Sequence, residues 1–498
     1  MRKTITKLLS CALSVLFAFG GFSACTKKGG GDGQLEILYF KGGTGSEWMD
    51  ALCAEFEKDT GVKVKATPDN TITGSARTKL DAGRNLPDLM FIQLTNWREY
   101  VQKDWIAQMD ELYDGSFGYT FKNGYTVTSS YDLTGTSVYS NGSNSGESTT
   151  SVTLRDIIID IFKDYGYVSR KINEQKHFYV VPWHSPCVGI AYNVDILKEA
   201  GWNAPPATES ELFKCVDDIN ALKDGSGNQK YSAFAWPGQE YGYWDFVTHT
   251  WWAQYEGVEE QRKFYDFESP EVFLQEGRAK ALDLWQRLLV ADNGAVKNSI
   301  TGAEGLDHNA AQNEFAKGKA AFVVTGAFLK NEIRDITDET FHYKMMSVPM
   351  ISGAKNENAV LNTEAGTFAC IPKKAKNTEL AKAFLAYMNQ PKWIEKFTYY
   401  SGQMRPFNYK PTTIDGLHEY TKSVCALFES SDLLIRVSDS AIFNYADVKE
   451  WVKYSSASLY ALLKGANKHS ASEVCNNMYN YAVTEWSNYE KKATGSEG

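Results

Sequence analysis

Aromatic and amide side chains gather where a chain that alternates strand-like and helix-like stretches would turn. Trp183 and His184 follow the strand-like run FYVVP that ends at Pro182. Trp236 follows the run SAFA, ahead of Tyr243, Trp244 and the pair Trp251-Trp252. Gln93 and Asn96 close the run DLMFIQ. Rings at such positions can cover the apolar C–H face of a polyhydroxylated ring, while carboxylates and amides satisfy its hydroxyl rim. Open α/β sheets place ligands at strand ends of this kind. The competing use of an aromatic is core packing. Trp252 and Trp285 fall at helical spacing and read as core; Trp183, Trp236, Tyr243 and Trp244, beside turns, read equally well either way.

Covalent and metal chemistry find no motif. There is no GxSxG elbow, no GxxxxGK[ST] phosphate loop and no HExxH. The seven His residues are far apart, so a metal site is not expected. Asp224-Gly225-Ser226-Gly227-Asn228 begins like a calcium loop, but Gln229 stands where the loop needs Gly and Ala235 where it needs Glu. The glycines after Lys41 lack the GxGxxG spacing of a dinucleotide site. No cofactor is expected. Lys plus Arg number 52 against 61 Asp plus Glu, a net charge of −9, and that balance disfavours a nucleic-acid partner. With 498 residues, 43% hydrophobic and 23% charged, the chain can bury large cores.

The N-terminus reads as an address. Residues 1–24 run from a basic start through 12 largely apolar residues (8–19) to small ones, the layout of a secretory signal. Twelve residues are too few to span ~30 Å of hydrocarbon as a helix. Phe22-Ser23-Ala24-Cys25 resembles the bacterial lipobox, whose Cys becomes the lipidated (palmitate-bearing) first residue. Residues 25–33 then form a Gly-rich flexible tether. Six further cysteines, Cys53, Cys187, Cys215, Cys370, Cys425 and Cys475, are scattered and contain no CxxC. They read as buried small hydrophobes, with one or two bridges left open.

The elements that must position the aromatic turns alternate in type. LEILYF, VKVKA and DLMFIQ read as strands. Met49, Leu52, Cys53 and Phe56 form a helical stripe ending at Gly61. Leu380, Ala383, Phe384, Tyr387 and Met388 form another, before Pro391. The order strand–helix–strand argues for parallel α/β sheets. Residues 114–150, rich in Gly, Ser, Thr, Tyr and Asn, interrupt the rhythm as an inserted hairpin or long surface loop.

Five segments then carry a resemblance: FEKDTGVKV (56–64); LPDLMF (86–91); GIAYNVDIL (189–197) with PPAT and Glu211-Leu212; FAKGKAAF (315–322) with Gly326; and Ile371-Pro372 with Lys376-Asn377 and Glu379-Leu380-Ala381. In this order and spacing they resemble the family 1 extracellular solute-binding proteins, the maltose-binding-protein group. The resemblance implies a two-lobed α/β fold of the type II periplasmic-binding-protein kind, with three interlobe crossings and the ligand cleft between the lobes. The crossings are expected near residues 186–190, 325–326 and 364–367. Lobe one would hold 34–186 and 326–364, including the 114–150 insertion; lobe two would hold 187–325 and 365–498. The resemblance further implies polar ligand contacts from Thr44 and Glu47 in the first turn, and stacking by Phe328, where the family often has Trp. With Gln93, Asn96, Trp183, Trp236, Tyr243 and Trp244 these make the expected site. The implied function is non-enzymatic: a monomeric, lipid-anchored receptor on the outer face of the cell membrane. It would capture a carbohydrate and deliver it to the permease of an ABC importer. The alternatives are a lipoprotein glycoside hydrolase and a sugar sensor without a transporter.

Overall fold

In the computed structural model, residues 27–28, 33–93, 97–143, 149–163, 167–172, 175–266, 269–293, 295–363, 367–435 and 470–494 are described. The signal segment, Cys25 and Asn96 lie outside them.

Leu35, Ile37 and Tyr39 alternate inward along β2 (Leu35–Tyr39), as the two-residue period of a strand requires. β2 pairs in parallel with β3 (Val64–Pro68) and β4 (Leu89–Gln93). The helix Glu47–Thr60 between β2 and β3 buries Trp48, Met49, Leu52 and Phe56. It stops at Gly61, whose φ of 75° lets its N–H return to the carbonyl of Glu57. Two antiparallel strands complete this first sheet: β17 (Thr367–Cys370) on β4, and β11 (Val181–Pro182) on β17. The spatial order is β11-β17-β4-β2-β3. The expected stripe from Leu380 to Met388 is buried along the helix Thr378–Met388, and Pro391 opens the next helix, Pro391–Ser401.

The second sheet has the order β13-β14-β12-β16-β18. Its members are β12 (Cys187–Asn193), β13 (Ser232–Ala235), β14 (Ala320–Gly326), β16 (Val360–Thr363) and β18 (Asp432–Ile435), with β15 (Tyr343–Met346) also on β12. β12, β14 and β16 are buried along their whole length, which explains their unbroken apolar runs. Ala191, Val323, Met345 and Leu361 face one core with Tyr420 and Val424. Ile190, Phe322, Val324 and Met346 face the other, beneath Trp244, Trp251 and Trp285.

Sheet membership corrects the expected lobe boundaries. β15 and β16 pair within the second sheet, although residues 326–364 were assigned to lobe one. β17 joins the first sheet, although residues from 365 onward were assigned to lobe two. Residues 325–326 are therefore not a crossing, since they end β14, paired with β12, and the next strand, β15, lies in the same sheet. Gly326 is small for another reason: a Cβ there would stand 2.9 Å from the carbonyl oxygen of Cys187 and closer still to the Phe328 ring. The chain instead returns after Ser401, reaching the second sheet with the helix Glu419–Ser430 and β18. The segments that connect the sheets lie side by side. The N–H of Trp183 donates to the carbonyl of Thr367 (3.2 Å), and that of Ser185 to the carbonyl of Met404 (2.9 Å). The hydroxyls of Ser185 and Thr363 are 2.5 Å apart.

The insertion is part of the body. β5 (Gly118–Thr120) and β6 (Thr126–Thr128) form a hairpin, and β7 (Ser130–Tyr131) pairs with β8 (Val152–Thr153). Phe117, Phe121, Val127, Tyr131 and Val138 are buried in the first core. A third hairpin joins β9 (Tyr167–Ile172) to β10 (Gln175–Phe178), and β1 (Lys27–Lys28) lies against β5. The six cysteines beyond Cys25 are all free thiols. No helix among the described residues is long and apolar enough to cross a membrane.

Candidate functional site

The strand ends of the two sheets meet at the turn Gly42–Thr44 after β2 and the segment after β14. Gly43 is the point of closest approach. A Cβ there would stand 2.4 Å from the Cβ of Phe328 and 2.9 Å from a carboxylate oxygen of Glu332, so only glycine fits. Asn331 fastens the contact, donating to the carbonyls of Gly43 (2.8 Å) and Ser401 (2.8 Å). Gln403 adds a second bond to the Gly43 carbonyl (3.0 Å), and Arg334 forms an ion pair with Glu47.

The site residues expected from sequence land in different places. Trp183 is 1% exposed and stacks on Trp48, with ring centroids 5.3 Å apart. Trp244 is 2% exposed and sits edge-on to Trp285 and Trp236. Trp236 is 3% exposed, yet its indole N–H has no partner. These three indoles are core side chains, which corrects the expectation that their faces stack on a ligand. Thr44 is buried, and its hydroxyl donates to the carbonyl of Lys41 (2.5 Å), holding the turn shut. Glu47 is engaged by Arg334 and by the N–H of Ser46 (3.0 Å). Gln93 ends β4, half-buried, opposite Thr367.

Tyr243 and Phe328 remain partly exposed, and they come together with ring centroids 6.1 Å apart and planes at 71°. His308 also stacks on Tyr243, with ring centroids 5.3 Å apart, and its Nδ1 lies 3.1 Å from Glu240. Near Tyr243 and His308 lie two buried acceptors without partners: one carboxylate oxygen of Glu332 and the amide oxygen of Gln312. The Gln312 amide N–H is held by the Thr325 hydroxyl at 3.1 Å. Burial lifts the Glu332 carboxyl above its ordinary pKa, and the Gln312 hydrogen bond and the nearby His308 draw it part of the way back. Burial also pushes the Tyr243 hydroxyl far up, with Glu332, Glu240 and Asp307 adding to the effect. A buried acceptor left unmade costs about 1–3 kcal/mol, so these two oxygens beside paired aromatic rings can accept from the donors of a bound group.

His308, Gln312, Asn331 and Glu332 escape sequence reasoning because no local pattern joins them. They come from the helix His308–Ala316 and the helix Leu329–Glu332, either side of β14. Among the described residues no group of His, Cys, Asp or Glu is placed to hold a metal ion. A depression of about 780 Å³ flanks the start of β13. Its amides bond to one another, Asn220 to Asn298 at 2.8 Å and Gln229 to Asn220 at 2.9 Å.

His184 ties the crossing segment to this site. It is 3% exposed, and its Nε2 lies 2.9 Å from the side-chain oxygen of Gln403, the residue that also holds Gly43. Burial pushes its pKa down to about 3, so the ring is neutral and Nε2–H donates. In the unfolded chain the group takes a proton near its ordinary 6.5. Stability conferred by the neutral ring is therefore complete above that pH and is lost as pH falls towards 3, by up to ~1.4 kcal/mol per pH unit. Urea midpoints of the parent should fall more steeply between pH 6.5 and 4 than those of His184→Gln; parallel slopes would contradict the assignment.

Residues 51–421 match a family model described as bacterial extracellular solute-binding protein. A protein of Brucella abortus (strain 2308) described as a binding protein is 24% identical over 238 residues, 48% of this chain and 52% of the relative. The chain thus spans about half the length of the curated relatives it matches. Among solved structures, RafE in complex with raffinose gives a TM-score of 0.60 at 16% identity, covering 90% of this chain and 99% of that one. The ligand-free form of RafE is from Streptococcus pneumoniae. A probable secreted solute-binding lipoprotein from Streptomyces coelicolor gives 0.59 at 14% identity, covering 90% and 98%. The two sheets are thus the cores of the two lobes of a solute-binding fold.

Proposed function

We propose that this chain, which belongs to the bacterial extracellular solute-binding protein family, captures a carbohydrate between its lobes and delivers it to an ABC importer. The observation that carries the proposal is the Tyr243–Phe328 ring pair near the unpartnered acceptors of Glu332 and Gln312. A saccharide has what this arrangement lacks: an apolar face for the rings and hydroxyl donors for the oxygens. Contacts from both lobes favour the closed state, because a ligand shifts such an equilibrium only by what it gains there. Of the residues expected from sequence, Phe328 and Tyr243 supply the rings, and Gln93 and Asn96 add polar contacts from the first lobe. The indole N–H of Trp236 is a further donor. Cys25 carries the lipid that holds the monomeric receptor at the outer face of the membrane, once the signal segment 1–24 is removed. The importer receives an unchanged ligand, and the site performs no catalysis.

Incubation of the mature chain with end-labelled oligosaccharides tests the function. Label retained with the protein and recovered intact is the expected result; shortened, released products would make it a hydrolase. Mass spectrometry of the protein from membranes should find a diacylated Cys25 as first residue. An unmodified N-terminus in the medium would remove the anchor.

A further inference from the structure

The strand nearest the lipid end of the chain does not belong to either large sheet. β1, residues Lys27 and Lys28, pairs in parallel with β5, Lys27 opposite Tyr119 and Lys28 opposite Thr120. β5 is otherwise paired on one side only, by β6, in the order β1-β5-β6. An outer strand edge offers a row of backbone donors and acceptors, and β1 takes them up. The surface that receives it is fixed. Phe121 meets Phe56 edge-on at 5.6 Å, Val127 is 1% exposed, and the Asn123 amide donates to the carbonyl of Asp59 at 2.8 Å. The hairpin is thus pinned to the end of the helix Glu47–Thr60 in the first lobe.

We infer that residues 27–28 dock as a strand on the β5–β6 hairpin of the insertion, so that the tether leaves the first lobe at one defined place. This gives the insertion a role that the ligand site does not. A free tether of the nine residues 25–33 would reach up to ~30 Å and average about 15–18 Å. With β1 docked, two residue steps separate Cys25 from Lys27, a span of at most ~7 Å. A lipid on Cys25 then holds the hairpin side of the first lobe against the membrane surface. Only this consequence for orientation rests on the proposed anchoring; the docking does not.

The test uses the full mature chain. Parallel neighbours lie ~4.8 Å apart, within the Cα range of about 4.4–6.8 Å that a disulfide bridges. Lys28→Cys combined with Thr120→Cys should therefore cross-link under mild oxidation, read by peptide mapping. Lys28→Cys combined with Thr126→Cys, one strand further off, should give at least tenfold less. Equal yields from the two pairs would overturn the docking. In the unmutated chain, hydrogen exchange should be slowed at least tenfold against an open chain at one of the two amides of Lys27 and Lys28, the one whose N–H faces β5, and open-chain rates at both would overturn it too. A cross-link without diacylation of Cys25 leaves the docking standing and removes the orientation; diacylation without a cross-link removes the docking and the orientation with it, and leaves only the anchor.

Discussion

Phe328→Ala weakens saccharide binding ten- to a hundredfold, while Trp244→Ala acts on stability, costing about 3–5 kcal/mol. The contrast follows from where the two rings sit. Phe328 is partly exposed at the lobe junction, edge-on to Tyr243. Burying ~60–100 Å² of a sugar's C–H surface on such a ring yields about 1.5–3 kcal/mol, which is one to two decades of affinity. Trp244 is 2% exposed, with Trp236 at 4.0 Å and Trp285 at 4.7 Å between ring centroids. Removing it opens a cavity that these neighbours can fill only in part. Calorimetry measures the first effect and urea unfolding the second. If Trp244→Ala keeps the parent's stability and loses binding, the assignments of the two rings are exchanged.

Arg405→Met is expected to cost about 3–5 kcal/mol, because it leaves three buried acceptors unpaired at about 1–3 kcal/mol each. Arg405 is 1% exposed. Its guanidinium donates to the carbonyls of Trp183 (3.1 Å) and Met388 (2.8 Å) and to the side chain of Asn389 (2.7 Å). Phe407 covers it, 4.5 Å from guanidinium carbon to ring centre. Burial lowers its pKa to about 9. The group bridges the chain at the first crossing, Trp183, to the helices behind β17, and no other residue type carries its planar fork of donors. Arg405→Lys should therefore recover less than half of the loss. A melting midpoint unchanged in both variants would show that the bridge is not what holds this segment.

Much of the scaffold was legible because it is local. The stripe at Leu380, Ala383, Phe384, Tyr387 and Met388 and the stop at Gly61 each follow from spacing or from one residue's conformational freedom. The allocation of strands to sheets was not, since β15, β16 and β17 follow one another within 28 residues and differ only in distant partners. Gly326 looked like a hinge because a glycine placed for close approach and one placed for a bend read alike. The tryptophans after strands misled for a related reason: a ring that caps a sheet end and one that faces a ligand have the same sequence neighbourhood. Glu332 and Gln312 declare themselves only in three dimensions, as acceptors buried without partners.

Capture of a saccharide between the lobes is tested most directly by calorimetric titration of the mature chain with raffinose, xylo-oligosaccharides and chito-oligosaccharides. At least one should bind saturably at one site per chain, with a negative heat-capacity change from the buried ring faces. That binding should weaken at least tenfold in Phe328→Ala. A folded protein that binds none of the three classes, or binds one with the same affinity in the variant, would contradict the account.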